Sequence, residues 1–584
     1  MKKHGTVPLL AVITVYLAIG LSGCGGGSSG SSDNTGTTTP SSVVHITGNI
    51  TAPTTWTHTS TYVIDNSIAT SATLTIEPGT VVKFQQGTSI AVGANGPIIA
   101  DGSVAAPIVF TSFKDDLSGG DTNGDGASTA PARGDWGYIN ATASGSTFNY
   151  CGFFYGGRNM PYTGTLVLSS GCSATVTHCV FAHNKGGTLA DTRAAALNAQ
   201  AAGAGTVLSG NTFFDNDLPL VVNGLYNVDN TNVFHRQITT SMTYTNTYNG
   251  IFFDGPYSLN GTITWSNTEV PYVILSPLSV DAGSQLTLGD NVMVKFGAGQ
   301  RIDVPGVLIA DGATSVIFTS LKDDSVGGDT NGDGAATAPA AGDWNLVNVS
   351  GNGSLFNHCR FSYGGGAKPY SGTVEVGNTS GTATATITNC TFGHNTGGTP
   401  ADNRAAALNL GGSGAETVVT GNTFYDNDMP LVINGLVSID NSNTFHIVSS
   451  GTTTVTNLYN GIFMDGTEHQ VYGNVTWSNT EVPYVIYNTV LTIGSGNPTP
   501  TGALTLGDNV ILKLQSGRID LYLSGTLNQG SGTYFTSFKD DSMLGDSNAD
   551  GVSAGAAGDW TGIDICQGGP CSWATWGNIL YATN

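Results

Sequence analysis

The chain has 584 residues, of which only 10% are charged, and it contains 82 glycines. Its formal net charge of −23 argues against nucleic acid as a partner, because few basic residues are present to neutralise phosphates. Disordered proteins carry more charge and fewer aliphatic residues than this chain does. The composition therefore favours an all-β protein with many tight turns.

The first residues predict an exported lipoprotein. Lys2 and Lys3 precede an apolar stretch, residues 7–19, that is too short for a comfortable membrane span. The stretch ends in Leu21-Ser-Gly-Cys24, which resembles the lipobox of bacterial lipoprotein signal peptides. That resemblance implies removal of residues 1–23 and lipidation of Cys24. The alternative is an ordinary signal peptide that happens to contain a cysteine.

A flexible tether follows the predicted lipid anchor. Residues 24–43 are rich in Gly, Ser and Thr, a composition typical of flexible linkers. We therefore expect the folded part to be anchored to a membrane of the bacterial cell envelope through Cys24. The residue after the cysteine is Gly25, which favours the outer membrane or the cell surface over the inner membrane.

Long-range self-similarity determines the predicted domain organisation. Trp56, Trp265 and Trp477 each precede a Tyr-Val-Ile sequence, and they recur about every 210 residues. Such a period indicates one repeat architecture rather than several unrelated domains. We predict a first unit at residues 44–259, a second at 260–472, and a truncated third with a C-terminal cap at 473–584.

Shorter periodicity within each unit predicts the fold. Short alternating runs, such as residues 74–76 and 81–84, are separated by Gly, Pro, Asn or Asp and read as strands. Later segments repeat an aliphatic residue, a Cys or Thr, and a Phe at matching offsets. These segments resemble the right-handed parallel β-helix of the pectate-lyase-like superfamily, and the resemblance covers nearly all of residues 44–584. The alternative fold is a string of β-sandwiches.

An acidic loop recurs once in each unit, directly after an apolar strand that ends in Phe-Thr-Ser. The first copy reads Lys-Asp115-Asp116, then Asp121-Thr-Asn123-Gly-Asp125-Gly, and it runs on to a Gly-Asp-Trp sequence. The Asp-x-Asn-x-Asp-Gly core resembles the calcium loops of EF-hands, dockerins and thrombospondin type 3 repeats. In such loops alternate oxygens converge on a hard cation and the Gly permits a sharp turn.

The resemblance to calcium loops is partial, because Ala132, Ala340 and Ala557 occupy the position of the usual bidentate acid. A later Asp, or the paired Asp residues at the start of the loop, are candidates to complete the ligand shell. Plain turns are the alternative interpretation, but crowded carboxylates repel each other and favour bound calcium. The predicted calcium ligands are Asp115, Asp116, Asp121, Asn123, Asp125, Asp135, Asp323, Asp324, Asp329, Asn331, Asp333, Asp343, Asp540, Asp541, Asp546, Asn548, Asp550 and Asp559.

The remaining cysteines divide into two groups. Cys566 and Cys571 flank a tight turn, and they are candidates for a disulfide outside the cytoplasm. Cys151 with Cys179, and likewise Cys359 with Cys390, occupy equal offsets in successive segments. These pairs are either stacked core thiols, which we favour, or disulfides. A Cys-x-x-Cys motif is absent from the sequence, so a haem or zinc role is unsupported.

Two other duplicated polar groups have structural interpretations that we favour over functional ones. His183-Asn184 follows a Phe at one edge of the coil and predicts a stacked Asn ladder, and His394-Asn395 repeats it. Asp215-Asn-Asp217 is most simply a turn.

Function is the least determined property of the sequence. Three nearly identical acidic loops suit structural cation sites better than a catalytic site, which normally occurs once, so we name no catalytic residue. The leading hypothesis is a calcium-stabilised binding, adhesive or structural module at the cell surface, with polysaccharide or another surface as partner. The alternative is a polysaccharide lyase or glycoside hydrolase of the β-helix class, and fold resemblance does not decide between them.

Overall fold

The computed structural model describes residues 42–158, 164–255, 257–367, 372–377, 382–402, 405–449, 451–464 and 469–584. The predicted signal peptide, the lipidation site Cys24 and nearly all of the tether lie outside these ranges. All regular elements in the described ranges are β-strands. A helix of the length and apolarity needed to span a membrane was not found in the part of the chain described.

The first compact unit extends to Ile251 and winds through three parallel sheets in rotation. Its strands are β1 (Ser42–Ile46), β2 (Thr54–Trp56), β3 (Ser60–Ile64), β4 (Ile68–Thr70), β5 (Leu74–Ile76), β6 (Val81–Phe84), β7 (Ile90–Val92), β8 (Ile98–Asp101), β9 (Ile108–Ser112), β10 (Ile139–Ala141), β11 (Thr147–Asn149), β12 (Cys151–Phe154), β13 (Leu166–Leu168), β14 (Thr175–Thr177), β15 (Val180–Ala182), β16 (Leu197–Ala199), β17 (Val207–Ser209), β18 (Thr212–Phe214), β19 (Leu220–Val222), β20 (His235–Thr239) and β21 (Met242–Thr245).

From β2 to β16, each strand pairs with the strand three places later, so each coil lies on the next. The order β1-β3-β6-β9-β12-β15-β18 forms one sheet, and all of its pairs are parallel. Like residues stack on like: Phe110, Phe153, Phe181 and Phe213 are register partners, with ring centroids 4.8 to 5.0 Å apart. This arrangement confirms the predicted right-handed parallel β-helix and excludes a string of antiparallel sandwiches.

The second compact unit begins at Phe252, within β22 (Ile251–Phe253). Its further strands are β23 (Tyr257–Leu259), β24 (Thr262–Trp265), β25 (Tyr272–Ile274), β26 (Leu278–Val280), β27 (Gln285–Leu288), β28 (Met293–Phe296), β29 (Arg301–Val304), β30 (Val307–Ser320), β31 (Leu346–Val349), β32 (Asn352–Ser362), β33 (Val374–Gly377), β34 (Thr384–Thr388), β35 (Thr391–Gly393), β36 (Leu408–Gly412), β37 (Val418–Thr420), β38 (Thr423–Tyr425), β39 (Leu431–Ile433), β40 (His446–Ser449), β41 (Thr453–Thr456), β42 (Ile462–Met464), β43 (His469–Val471), β44 (Gly473–Trp477), β45 (Tyr484–Tyr487), β46 (Val490–Ile493), β47 (Gly502–Leu506), β48 (Ile511–Gln515), β49 (Arg518–Tyr522), β50 (Gly525–Gln529), β51 (Tyr534–Ser537), β52 (Gly562–Cys566) and β53 (Ser572–Trp573).

One junction in the second unit changes the stacking of the coils. Strand β42 pairs with β39 on one side and with β45 on the other. By sequence β45 is the counterpart of β25, which pairs in the same way with β22 and β28 but belongs to a different sheet. The third repeat therefore starts one sheet further around the coil than the second repeat does. We call this change the face shift.

An asparagine ladder runs along one turn of the first unit, as expected from the sequence. Asn184 donates to the side-chain oxygen of Asn216 at 2.9 Å, and Asn216 donates to that of Asn246 at 2.9 Å. Asn216 is fully buried, and its amide also donates to the Phe181 carbonyl. The ladder satisfies backbone groups that the turn leaves without ladder partners. The second unit repeats it with Asn395, Asn427 and Asn457.

The cysteines fall into two classes in the structure. Cys566 and Cys571 are bonded to each other. Five others are free and buried: Cys151, Cys172, Cys179, Cys359 and Cys390. The four predicted stacked positions, which are these residues without Cys172, therefore hold thiols. The Cys179 thiol donates to the Phe148 carbonyl, and burial raises the pKa of the Cys151 thiol. These thiols therefore serve as small core residues.

Candidate metal centres

Each acidic loop leaves the coil at the end of one strand, and β9, β30 and β51 carry the three copies. Within the first loop, Asp116, Asp121 and Asp125 have carboxylate oxygens that all lie within 4.8 Å of one another. The other two loops reproduce this grouping. We call the three groups the acidic clusters: Asp116-Asp121-Asp125, Asp324-Asp329-Asp333 and Asp541-Asp546-Asp550.

Backbone donors fix the central carboxylate of each cluster. The two oxygens of Asp121 accept hydrogen bonds from the N–H groups of Gly124 and Gly126, at 2.7 and 2.9 Å. Both glycines have positive φ, which a residue with a side chain adopts only with strain. The bond from Gly126, followed by that from Gly124, lowers the pKa of Asp121 below its ordinary value. The sequence of the loop therefore holds this carboxylate in its ionised form.

The first carboxylate of each cluster is incompletely satisfied. Oδ1 of Asp116, of Asp324 and of Asp541 is buried and has no hydrogen-bond partner in the structure. Burial raises the pKa of Asp116 and of Asp324, and the neighbouring Asp121 and Asp329 raise it further. An unpaired buried carboxylate oxygen costs free energy, and a bound cation would satisfy it.

A buried lysine lies beneath each acidic cluster, a feature that sequence reasoning missed. Lys83, Lys295 and Lys513 are all fully buried at the centre of an apolar strand. Lys295 donates from Nζ to the Gly328 carbonyl at 2.8 Å and to the Thr330 hydroxyl at 2.9 Å. The sequence signal was a lysine at the same position of an otherwise apolar strand in every repeat.

These lysines fasten the loops without neutralising them. Burial lowers the pKa of Lys295 and of Lys513 to about 8, although neighbouring aspartates act in the opposite direction. One ammonium beside three carboxylates leaves at least two negative charges at each cluster. A divalent cation has the charge and the preference for oxygen ligands that would balance them.

Other predicted ligands have protein partners outside the clusters. Asp115 accepts from the Thr111 hydroxyl at 2.7 Å, and Asp135 accepts from the Ser112 hydroxyl, the Lys114 ammonium and the Ala132 N–H. The same bonds recur for Asp323, Asp343, Asp540 and Asp559. The structure therefore places these six carboxylates at the base of the loops, where they connect each loop to its strand.

The amide of each loop lies against its cluster. Asn123 donates from Nδ2 to Asp125 Oδ2 at 3.0 Å, and its Oδ1 accepts from the Asp125 N–H. Asn331 and Asn548 make the same contacts with Asp333 and Asp550. Each amide therefore presents its Nδ2 donor to a cluster carboxylate, while its oxygen accepts a hydrogen bond from the loop backbone.

A second polar site, at one turn of the first repeat, breaks the repetition. The Arg133 guanidinium contacts Asp215 at 2.5 Å and Asp217 at 2.6 Å, and His183 Nδ1 lies 2.6 Å from Asp215 Oδ2. In the second repeat Ala341 occupies the position of Arg133. Sequence reasoning took the Asp215-Asn-Asp217 segment as a plain turn and missed this arginine.

Two more basic residues of the first repeat lie next to Arg133. A Cβ built on Gly134 would lie 2.9 Å from Lys185 Cδ and 3.5 Å from Arg158 Cα. The corresponding residues of the second repeat are Gly366 and Thr396. Among the described residues, neither Arg158 nor Lys185 pairs with a carboxylate. We call the three basic residues whose chains lie next to Gly134 the basic patch: Arg133, Arg158 and Lys185.

The fold and the acidic clusters define a parallel β-helix protein with repeated candidate cation sites. In comparison with protein families, the model of the pectate-lyase-like β-helix domain matches residues 48–159. This segment includes the first acidic loop. No curated protein and no solved structure matches the chain. The match supports the fold and leaves the choice between a binding and an enzymatic role open.

Proposed function

We propose that this protein is a lipid-anchored module of the bacterial cell envelope whose β-helix is stabilised by calcium and binds a polysaccharide or another surface. The observation that carries the calcium proposal is the buried, unpartnered carboxylate oxygen that recurs in Asp116, Asp324 and Asp541. The same atom is left unpaired in all three loops, and a cation bound at each cluster would satisfy it.

Calcium suits the ligands better than other common cations do. Each cluster offers carboxylate oxygens with an adjacent amide oxygen, and its members contain no nitrogen or sulfur ligand of the kind that zinc prefers. The carboxylates lie on a loop whose geometry is irregular. Calcium tolerates irregular oxygen shells, whereas magnesium demands a near-ideal octahedron and keeps most of its waters.

The calcium proposal is tested by binding and by melting. The protein purified in detergent is freed of metal, and calcium binding is measured by calorimetry, with terbium luminescence as a second probe. We expect three sites and a higher melting temperature in calcium than in chelator, because a ligand that binds only the native state stabilises it. An identical melt in the two buffers, together with no calorimetric signal, would exclude calcium.

The anchor at Cys24 is tested separately. Replacing Cys24 by Ser should release the protein from the membrane fraction, and labelled fatty acid should no longer be incorporated. An ordinary signal peptide would give the opposite result, with no fatty acid incorporated in the unaltered protein. Protease is then added to intact cells. It should cleave the protein if the protein lies at the cell surface, and leave it whole if the protein faces the periplasm.

The binding role is tested with a panel of polysaccharides, in calcium and in chelator. Cosedimentation reports binding, while reducing ends and the ultraviolet absorbance of unsaturated uronides report cleavage. Binding without product supports the adhesive module. Neither binding nor product would leave a structural role as the remaining form of the proposal.

A second candidate function is a polysaccharide lyase or glycoside hydrolase. It is favoured by a polar site that departs from the repeat, where Arg133 contacts Asp215 and Asp217 and His183 contacts Asp215. Catalytic sites occur once and need asymmetric surroundings of this kind. Product release that disappears in Asp215→Asn and persists in Asp426→Asn, its counterpart in the second repeat, would establish this function.

A further inference from the structure

A cavity of about 320 Å³ lies within the second compact unit, next to the third acidic loop. Its walls include the rings of Tyr459, Tyr487 and Phe538 and the side chains of Gln515, Asn548 and Asp550. Its volume is at the lower end of the roughly 300–1,000 Å³ range of small-molecule sites. It is therefore large enough for one small ring and too small for most larger ligands.

The face shift explains why this cavity exists. Because the third repeat starts one sheet further around, its acidic loop comes to lie next to the segment at residues 399–401 of the second repeat. Coils that stacked strictly on their own counterparts would not bring these two loops together. The cavity is thus formed by two loops that the junction between two repeats brings together.

The cavity combines apolar faces with an unsatisfied acceptor. Tyr459 and Tyr487 are half-buried and pack against the core residue Phe538, with Tyr487 and Phe538 meeting edge to face. Gln515 Oε1 is buried and has no hydrogen-bond donor in the structure. A ligand with apolar C–H faces and several hydroxyl donors matches this lining, and a sugar ring has both.

The charge of the cavity lining determines which sugars it favours. Asp550 belongs to the third acidic cluster, and it and Asn548 line the cavity. Lys539 also lines the cavity, but its ammonium is engaged by Asp559 at 3.3 Å. An anionic sugar would therefore meet excess negative charge when the cluster lacks a cation.

We propose that this cavity binds one uncharged sugar ring, and that Asp550 couples its occupancy to the cation at the third acidic cluster. The coupling rests on the proposed calcium function, whereas the cavity and its lining do not. A cation held by Asp541, Asp546 and Asp550 fixes one wall of the cavity, so it strengthens sugar binding. Linkage requires the sugar to strengthen cation binding by the same factor.

The test uses methyl glycosides of glucose, galactose, mannose and N-acetylglucosamine, with methyl galacturonide as the anionic comparison. Saturation-transfer NMR on the full-length protein measures binding in calcium and in chelator. Tyr487→Leu installs the residue that the second repeat carries at Leu275, and Gln515→Leu removes the unpaired acceptor. Leu458→Ala alters the exposed neighbour of Tyr459 and is the matched control.

We expect at least one uncharged glycoside to bind, and both cavity variants to weaken it about tenfold or more while Leu458→Ala leaves it unchanged. Chelation should weaken it severalfold. Melting curves and terbium binding are recorded for every variant, so a misfolded protein is recognised by the loss of all three cation sites.

Two results overturn the inference and leave the proposed function intact: three bound cations with no glycoside signal, or tighter binding of galacturonide than of every uncharged glycoside. Glycoside binding that is the same in calcium and in chelator, with cation binding demonstrated, overturns the coupling through Asp550. Absence of cation binding in the unaltered protein overturns the calcium function itself. This result is obtained from terbium binding measured without any glycoside.

Discussion

The acidic loops and the turn beside Arg133 differ in how faithfully the protein repeats them. Each acidic loop keeps the same three carboxylates, the same unpaired oxygen and the same buried lysine in all three copies. The turn keeps its histidine and aspartate in both complete copies, His183 with Asp215 and His394 with Asp426. Only the first copy has the basic patch. Features that a coil needs in order to fold are retained everywhere, whereas a feature present once is free to serve recognition or catalysis.

The largest expected effect tests the asparagine ladder, which both complete repeats contain. Asn216→Ala removes the amide that donates to the Phe181 carbonyl and accepts from Asn184. It leaves buried groups unpaired, so we expect a loss of about 3–5 kcal/mol in the free energy of unfolding. Asn427→Ala in the second repeat should cost the same within error, as measured by urea denaturation. A cost confined to one of the two variants would contradict equivalence of the ladders.

The next largest effect tests whether the three acidic clusters bind calcium independently of one another. Asp121→Asn combined with Asp125→Asn should reduce the calorimetric stoichiometry from three calcium ions to two. At a calcium concentration of 100 times Kd, the lost site removes about 2.7 kcal/mol of stabilisation. Asp135→Asn is the control, because Asp135 bonds to Ser112 and Lys114 outside the cluster and should leave three ions bound. Loss of all binding in the double variant would show that the clusters are not independent.

A third prediction concerns the buried lysines and pH. The pKa of Lys295 is lowered to about 8 in the folded protein from an ordinary 10.5, so the unfolded chain binds more protons between these values. Stability conferred by this residue therefore rises as pH increases through that window. Relative to Lys295→Met, the unaltered protein should gain about 2 kcal/mol between pH 8 and pH 10 in chelator.

The comparison with Lys295→Met is needed because other groups titrate in the same range. Buried thiols and tyrosines are common to both proteins, and their contributions cancel in the difference. Thermal melts of the two proteins across the pH series give the measurement. A difference that is constant with pH would mean that Lys295 has an ordinary pKa when folded.

The smallest expected effect comes from exchanging the residue that differs between the two copies of the turn, which is Arg133 in the first copy and Ala341 in the second. Arg133→Ala leaves Asp215 and Asp217 without their shared guanidinium. Because the pair is about one-third exposed, we expect a cost of about 1–2 kcal/mol, between the values for surface and buried ion pairs. Ala341→Arg should place a guanidinium near Asp426 and Asp428 and raise stability slightly. Equal and negligible changes in both variants would show that the turn does not depend on charge pairing.

Much of the fold was predictable because stacking requires like residues at matching offsets, and the sequence displays these offsets directly. Phe153 and Phe181 stack because each coil repeats the same Phe position. The three cluster carboxylates were predictable for a related reason, since alternate residues of one short loop can turn their oxygens to a common point. Calcium at these clusters, the lipid anchor and the polysaccharide partner stay predictions.

Other parts of the site depend on contacts that spacing does not encode. Asp135 was a candidate ligand from its distance along the chain, but its direction is set by Ser112 and Lys114 at the end of the preceding strand. Arg133 meets Asp215 only because the intervening coils return the chain to the same edge. The cavity depends on the face shift, which comes from the way the coils stack at the junction between repeats and cannot be read from residue spacing.

The face shift also limits how the second unit can engage a partner. Its two acidic loops follow β30 and β51, which belong to different sheets of the coil. A flat, rigid partner that touches one sheet therefore cannot bind at both loops at once, and it gains no avidity from their duplication. A flexible chain long enough to pass around the coil would reach both loops. A gain in affinity from binding at both loops would therefore indicate a flexible polymer as the partner, and its absence would fit a planar surface.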